Sequence, residues 1–334
     1  MPMSVTIKDV AKAAGVSVAT VSRVLNNSAA VSEETASAVN NVIKEMGYSP
    51  NFLGRNLRKC ETNNILAILP STEHTVYSDI IKGMQDAAYP NYDVLLSTSN
   101  SYLGTEMRLL DMLFNRTVDA AVLLGTQLDA QKLNELDKQY NIALCCERVS
   151  DAKVLTVSIN NEAAAYDAVK MFLKRGKTRI GLVTTGGNTD ALSSADREKG
   201  YIRALSEYGI GFEEKYIYRC SYDYSDGCKA LKYFMSLDKP PQAIFCISDL
   251  LAAGVIKQAF MDGIAVGSKL EVCGFDNISL SEMYTPGITT VSQPGYEMGK
   301  TVIGKLLENM RGTEKNHDMI ILPHKLIIRG STQS

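Results

Sequence analysis

The chain has 334 residues, of which 45% are hydrophobic and 22% charged, and a formal net charge of −2. That profile excludes a disordered chain, a collagen and a small disulfide scaffold, and no run of 18 or more apolar residues exists to span a membrane. The small total hides a split: residues 1–60 hold seven basic and four acidic groups, a net of +3, which leaves −5 for the remainder.

The opening MPMSVTIKDVAK has no apolar h-region, so the expected compartment is the cytoplasm. Three short helices are predicted next. Thr6 is placed to cap a helix over 7–14, with Asp9 three positions on. Gly15 and Val16 make a turn, Ser17 caps a second helix over 18–26, and Val31 and Ser32 open a third over 33–46. In the third, Ala36, Val39, Ile43 and Met46 recur at spacings of three and four. Gly47 suits the position just past the helix, and Pro50 prevents its continuation. Val10, Ala11, Val21 and Val24 can meet in one small core, which makes the first two helices a helix-turn-helix pattern. Val18, Ala19, Ser22 and Arg23 are then left on the exposed side of the second helix. The segment NFLGRNLRKC at 51–60 could be helical but is too short to stand alone. Gly54 weakens it further, by about 1 kcal/mol relative to alanine.

From Asn64 the texture changes to short β-rich runs alternating with helical stretches. The order is ILAILP, 79–88, DVLLST, 105–114, AAVLLG, 129–139 and IALCC, then VLTVSI, 163–174, RIGLVTT, 196–208, YIYRC, 227–235, AIFCIS, 250–260 and EVCGF. Strands alternating with helices predict parallel, doubly wound α/β sheets, and the near-repetition predicts two similar lobes with room for a ligand cleft. The seven cysteines include no CxxC and read as buried free thiols. The three histidines lack ligand spacing, so no metal and no cofactor is expected. No GxSxG or P-loop appears, and GIGFEE lacks the third glycine of a dinucleotide fingerprint, so an enzyme is not expected.

The stretch VTIKDVAKAAGVSVATVSRVLNNSAAVSEETASAVNNVIKEMGYSPN resembles the head of the lactose-repressor/galactose-repressor (LacI/GalR) family of transcription regulators. DREKGYIRAL, CISDLLAAG, VCGFDN and PGITTVSQP follow in that family's order, so the resemblance spans essentially the whole chain. It implies an all-α helix-turn-helix head at 1–49, a hinge helix or linker at 50–62, and an effector-binding and dimerisation domain at 63–334. That domain would be α/β and two-lobed, like periplasmic sugar-binding proteins, with one lobe at 63–159 plus 290–321 and the other at 160–289 plus 322–334. The implied function is sequence-specific DNA-binding regulation of transcription, as a repressor. The resemblance further implies a homodimer on a pseudo-palindromic double-stranded operator. A small-molecule effector, a sugar or sugar derivative, would bind between the lobes; a purine or nucleoside-like ligand or a partner protein is the alternative. No heptad tail follows RGSTQS, which favours a dimer over a tail-mediated tetramer.

For DNA, the N-terminal part of the second helix would enter the major groove. Arg23 could pair with guanine O6 and N7, worth about 1–3 kcal/mol of discrimination. Val18 and Ala19 match the family's main specificity positions and offer apolar contact to a thymine methyl. Thr20, Ser22 and the helix N-terminus would position phosphates, and Thr6, Ser17 and Asn26 complete the head's candidates. In the hinge the candidates are Asn51, Arg55 and Leu57. Leu57 matches the family leucine that wedges into the minor groove and kinks the duplex. Gly54 stands where the family often has alanine, so the hinge helix is expected to order only on DNA.

For the effector, Asp276 and Arg197 match family positions facing the cleft, where a carboxylate and a guanidinium suit vicinal hydroxyls. A purely structural ion pair between them is the alternative. Glu147, Ser193, Ser248 and Gln293 are further candidates. Tyr224 matches a family aromatic that stacks on ligand, and Tyr77 offers a second flat surface. A structural role stays open for Tyr77, Glu147, Ser193, Tyr224 and Gln293. Asp249 reads as a helix cap, and Lys177 as part of a surface turn.

Overall fold

The computed structural model describes residues 5–25, 31–48, 61–72, 76–186 and 192–332. The expected contacts of Asn26, Asn51, Arg55 and Leu57, and the hinge helix itself, lie outside the described residues. The chain divides into two compact units, Met1–Glu61 and Thr62–Ser334.

In the first unit the predicted helices form at Ile7–Ala13 (α1), Val18–Leu25 (α2) and Glu33–Glu45 (α3). Each start is fixed by a short polar side chain, which satisfies amides that have no partner inside the helix. The Asp9 carboxylate accepts from the Thr6 amide at 2.9 Å and the Thr6 hydroxyl at 2.6 Å. Ser17 Oγ accepts from the Thr20 amide at 3.1 Å, and Ser32 Oγ from the Thr35 amide at 3.4 Å. Gly15, at φ +65°, takes the left-handed turn between α1 and α2 that a side chain would oppose. Val10, Ala11, Val21, Val24 and Val39 are buried together, with Ala36, Ile43 and Met46 packed around them.

The second unit contains two six-stranded sheets. The strands of the first are β1 (Asn64–Leu69), β2 (Asp93–Thr98), β3 (Ala120–Leu123), β4 (Asn141–Cys145), β5 (Leu155–Ile159) and β11 (Met319–Leu322), in spatial order β11-β5-β4-β3-β1-β2 and all parallel. The second sheet holds β6 (Ile180–Thr185), β7 (Ile217–Cys220), β8 (Ala243–Cys246), β9 (Glu271–Asp276), β10 (Thr289–Ser292) and β12 (Lys325–Ile327), in order β12-β10-β9-β8-β6-β7. Among the described residues only β12 runs antiparallel to its neighbour. The central strands are buried along their length, as parallel strands covered on both faces must be, and this is why they read as unbroken apolar runs.

One expectation is corrected. Residues 290–321 do not fall as a block in the first lobe, because β10 pairs with β9, Thr290 opposite Gly274, and so belongs to the second. Its buried threonines and Val291 fill the second lobe's core, and the chain returns to the first lobe only at the helix that follows. Lys177 is also more than a surface residue: with Arg175 it flanks the fully buried Glu271 carboxylate, at 3.6 and 3.7 Å.

The returning helix, α12 (Gly295–Arg311), packs on α4 (Tyr77–Ala88). The two backbones approach so closely that a Cβ at Gly299 would stand 1.9 Å from the Ile80 carbonyl oxygen. At Gly304, on the same helix, an added Cβ would have nothing within 4 Å. Gly299→Ala should therefore destabilise by about 1–3 kcal/mol through overpacking, while Gly304→Ala should be neutral or stabilise by up to about 1 kcal/mol. Urea unfolding of the two variants checks this; equal effects would contradict the close crossing.

Candidate functional site

A cavity of about 950 Å³ lies at the carboxyl ends of the strands of both sheets, where doubly wound sheets bind ligands. The first lobe contributes Tyr77 from the start of α4, and Cys146, Glu147 and Arg148 from the segment leaving β4. The second contributes Ser193 and Arg197 from α8 (Leu192–Glu207), Asp276 from the end of β9 and Gln293 just past β10. Six of the eight expected effector residues are thus brought together: Tyr77, Glu147, Ser193, Arg197, Asp276 and Gln293.

Arg197 organises the second lobe's side. Its Nε donates to Asn161 Oδ1 at 2.9 Å and its Nη1 to the Ile247 carbonyl at 2.6 Å. Its guanidinium lies 3.6 Å from the centre of the Phe275 ring, and Nη2 stands 3.9 Å from Asp276 Oδ1. Gln293 Nε2 donates to the same Asp276 oxygen at 2.7 Å. Burial pushes the Asp276 carboxyl up to about 6, against the pull of Arg197 and Gln293. Asp276 holds φ +106° and Cys146 φ +72°, left-handed values that strain a residue with a side chain. Both strained residues face the cavity, the pattern of backbone held in place for a site.

Two adjacent residues of the first lobe cross to α8. Glu147 accepts from the Ser193 amide at 2.8 Å and from the Ser193 hydroxyl at 2.9 Å. Arg148 donates through Nε and Nη2 to Asp196 Oδ2, at 3.0 and 2.5 Å. Burial raises the Glu147 carboxyl above its ordinary range although both bonds to Ser193 and the Arg197 charge oppose this.

Two of the expected residues stand outside the cavity lining. Tyr224 opens α9 (Tyr224–Met235), whose backbone packs against Gly254 of α10 (Asp249–Met261), and this carries it to the flank outside the cavity lining. Tyr222, two residues earlier, lines the cavity instead, with its hydroxyl 2.8 Å from Ser194 Oγ. Ser248 is buried as the cap of α10, accepting from the Leu251 amide at 3.3 Å, and does not line the cavity. Asp249 accepts from the Ile278 amide at 2.9 Å and so fastens the turn after Asp276.

Sequence reasoning missed Glu106, Arg148 and Tyr222. Glu106 lies on α5 (Leu103–Phe114), fully buried; it accepts from the Thr126 hydroxyl and, at 2.9 Å, from the Gln127 amide. A signal was present, since Glu106 sits three, four and seven positions before Leu109, Leu110 and Leu113, a carboxylate on an apolar stripe.

In the first unit, the exposed face of α2 carries Val18 (41% exposed), Ala19 and Arg23, with Thr20 and Ser22 half-buried and Val21 and Val24 buried beneath. Its first turn holds no acidic residue, so the helix N-terminus stays positive. Thr6 and Ser17 are exposed at the starts of α1 and α2.

Residues 6–51 match the bacterial regulatory proteins of the lacI family, and residues 169–332 match the periplasmic binding protein-like domain. The chain is 35% identical over 333 residues to the HTH-type transcriptional repressor CytR of Escherichia coli, covering 98% of this chain and 96% of that protein. The transcriptional regulator CelR, solved with cellobiose, superposes with a TM-score of 0.73 at 25% identity, over 98% of this chain and 99% of that one. The lac repressor dimer, solved with operator and the anti-inducer ONPF, shares the fold at a TM-score of 0.87 and 24% identity, over 99% of this chain and 100% of that one.

Asp276 supplies a test of the site's electrostatics. Its folded pKa lies above the ordinary carboxylate value, so between about pH 4 and 6 the folded state keeps a proton that the unfolded chain has lost. Stability therefore falls as pH rises through that window. Relative to wild type, Asp276→Asn should gain up to about 3 kcal/mol between pH 4 and pH 7. Urea unfolding at both pH values measures this; a difference that does not change with pH would contradict a raised Asp276.

Proposed function

The chain belongs to the lacI family of bacterial regulatory proteins, and on that premise we propose that it is a cytoplasmic repressor which reads a pseudo-palindromic operator as a homodimer and is switched by a carbohydrate held between its lobes. It is a DNA-binding transcriptional regulator with a separate ligand-binding domain. The DNA reading rests on α2: Arg23, Val18 and Ala19 stand exposed on one face of a helix whose other face is the head's core. Thr6, Ser17, Thr20 and Ser22 offer donors to phosphates, and Asn26, Asn51, Arg55 and Leu57 would extend the contact.

A second copy fits apolar side chains left on the surface of both lobes. Leu95 and Leu96 on edge strand β2 are 37% and 49% exposed, and Tyr102 and Leu103, which follow β2, are 67% and 45% exposed. Phe260 and Met283, in the second lobe, are 78% and 79% exposed.

The observation that carries the effector reading is the convergence of Asp276, Gln293, Arg197, Glu147 and Ser193 on one cavity flanked by Tyr77 and Tyr222. Carboxylate oxygens accept from hydroxyls, guanidinium and amide groups donate to them, and tyrosine faces cover the apolar side of a sugar ring. CelR, whose structure contains cellobiose, supports a carbohydrate. The same two tyrosines would also stack a nucleobase, which keeps a nucleoside as the second reading.

Arg23→Ala should lose about 1–3 kcal/mol of base discrimination while the body stays folded. Binding-site selection on random duplexes checks it, and an unchanged sequence preference would refute the assignment. A carbohydrate that raises the melting temperature of the wild type should leave Asp276→Ala unmoved. Equal stabilisation of both proteins would place the ligand elsewhere.

A further inference from the structure

We propose that Glu147 acts as a built-in anion that reserves the cleft for neutral or amine-bearing polyhydroxylated ligands and turns away phosphorylated ones. This rests on the cleft being the effector site. The first turn of α8 opens on the cavity, with Leu192 and Ser193 in its lining. Free amides at a helix N-terminus, backed by the helix dipole, attract a phosphate or carboxylate. Here the position is taken. The two oxygens of Glu147 receive the Ser193 amide at 2.8 Å and the Ser193 hydroxyl at 2.9 Å, the pair of donors that an incoming phosphate would seek.

The remaining charges of the described lining point the same way. Its carboxylates are Glu106, Asp129, Glu147, Asp223 and Asp276, against the guanidinium groups of Arg148 and Arg197. Arg148 is paired twice with Asp196 Oδ2, and Arg197 is held by Asn161, the Ile247 carbonyl and Asp276. A dianionic phosphate would thus meet an excess of negative charge and cations that are already balanced. To reach the α8 amides it would have to expel Glu147, which also breaks the two Glu147–Ser193 hydrogen bonds between the lobes. A hydroxyl can instead donate to the carboxylates, and an ammonium gains from their excess charge. Burial raises Asp276, Glu147 and Glu106 alike, because removal from water disfavours the charged carboxylate.

The test uses the full chain and inorganic phosphate as the probe. Melting temperature is followed against phosphate concentration, with chloride at matched ionic strength as the reference, for wild type, Glu147→Ala and Glu147→Gln. Phosphate should give the wild type no saturable stabilisation beyond its general salt effect, and should stabilise Glu147→Ala saturably, with a gain in affinity of at least about tenfold. Glu147→Gln keeps the shape and one acceptor but not the charge, so it should fall between, and it carries the test if the alanine variant does not fold. Saturable stabilisation of the wild type by phosphate, or indifference of the folded variants, overturns the proposal. D-Glucose 6-phosphate, D-glucose and D-glucosamine, run on wild type and Asp276→Ala, separate the two readings. A phosphorylated sugar that stabilises wild type but not Asp276→Ala overturns the anion filter and leaves the effector cleft standing. Phosphate gained by Glu147→Ala, with every carbohydrate that stabilises wild type acting equally on Asp276→Ala, shows that Glu147 occupies an anion site but removes the cleft reading, and so overturns the proposal on that ground alone.

Discussion

The ligand-binding unit is organised around one buried positive charge. Burying the guanidinium charge of Arg197 costs solvation that partners in the folded chain must match. Those partners come from three places: Asn161 at the start of α7 (Asn161–Lys174), the Ile247 carbonyl after β8, and Phe275 with Asp276 at the end of β9. Satisfying one charge therefore ties α8 to the carboxyl ends of the second sheet's central strands. Asp276 is the return half of the arrangement. It is held in a left-handed conformation, receives Gln293 from the crossover after β10, and sits beside Arg197 in a place where its own ionisation is resisted.

From that anchor the cleft closes outward. α8 carries Ser193, Asp196 and Arg197 on one helix, so the helix fixed by Arg197 also presents the groups that meet Glu147 and Arg148 from the first lobe. Movement of one lobe against the other must therefore break or keep these bonds together. At the far end of the first lobe, the Asp119 carboxylate receives the Thr62 and Asn63 amides at 2.8 and 2.7 Å, fixing the residues at which the chain enters this unit. Asp119 directly precedes β3, so these bonds tie the start of this unit to the first sheet.

Much of this was legible in the sequence where local chemistry decides structure. Thr6, Ser17 and Ser32 start their helices because a hydroxyl or its carboxylate partner satisfies free amides nearby. The α/β alternation was legible because buried parallel strands need unbroken apolar runs. Arg197 and Asp276 were placed by the resemblance and Gln293 by its position after a strand, and the fold brings them together. What was not legible depends on how elements pack. Tyr222 and Tyr224 lie two residues apart, and only the packing of α9 on α10 decides which of them faces the cavity. Ser248 could serve ligand or helix, and the free amides of α10 claimed it. The lobe assignment of β10 depended on strand pairing, which no local pattern specifies. Glu106 was visible as a charge on an apolar stripe, but its partners at 126 and 127 belong to another strand's loop.

The most direct measurement is a double-mutant cycle on the ligand-free protein, with urea unfolding of wild type, Arg197→Met, Asp276→Asn and the double variant at pH 7. If Arg197 and Asp276 balance each other's burial, Arg197→Met alone should cost about 3–5 kcal/mol, because it leaves a buried carboxylate uncompensated. The double variant should recover part of that loss, giving a coupling energy of about 1–3 kcal/mol. Additive effects, with no coupling between the two substitutions, would contradict the account and leave the cleft without its organising charge.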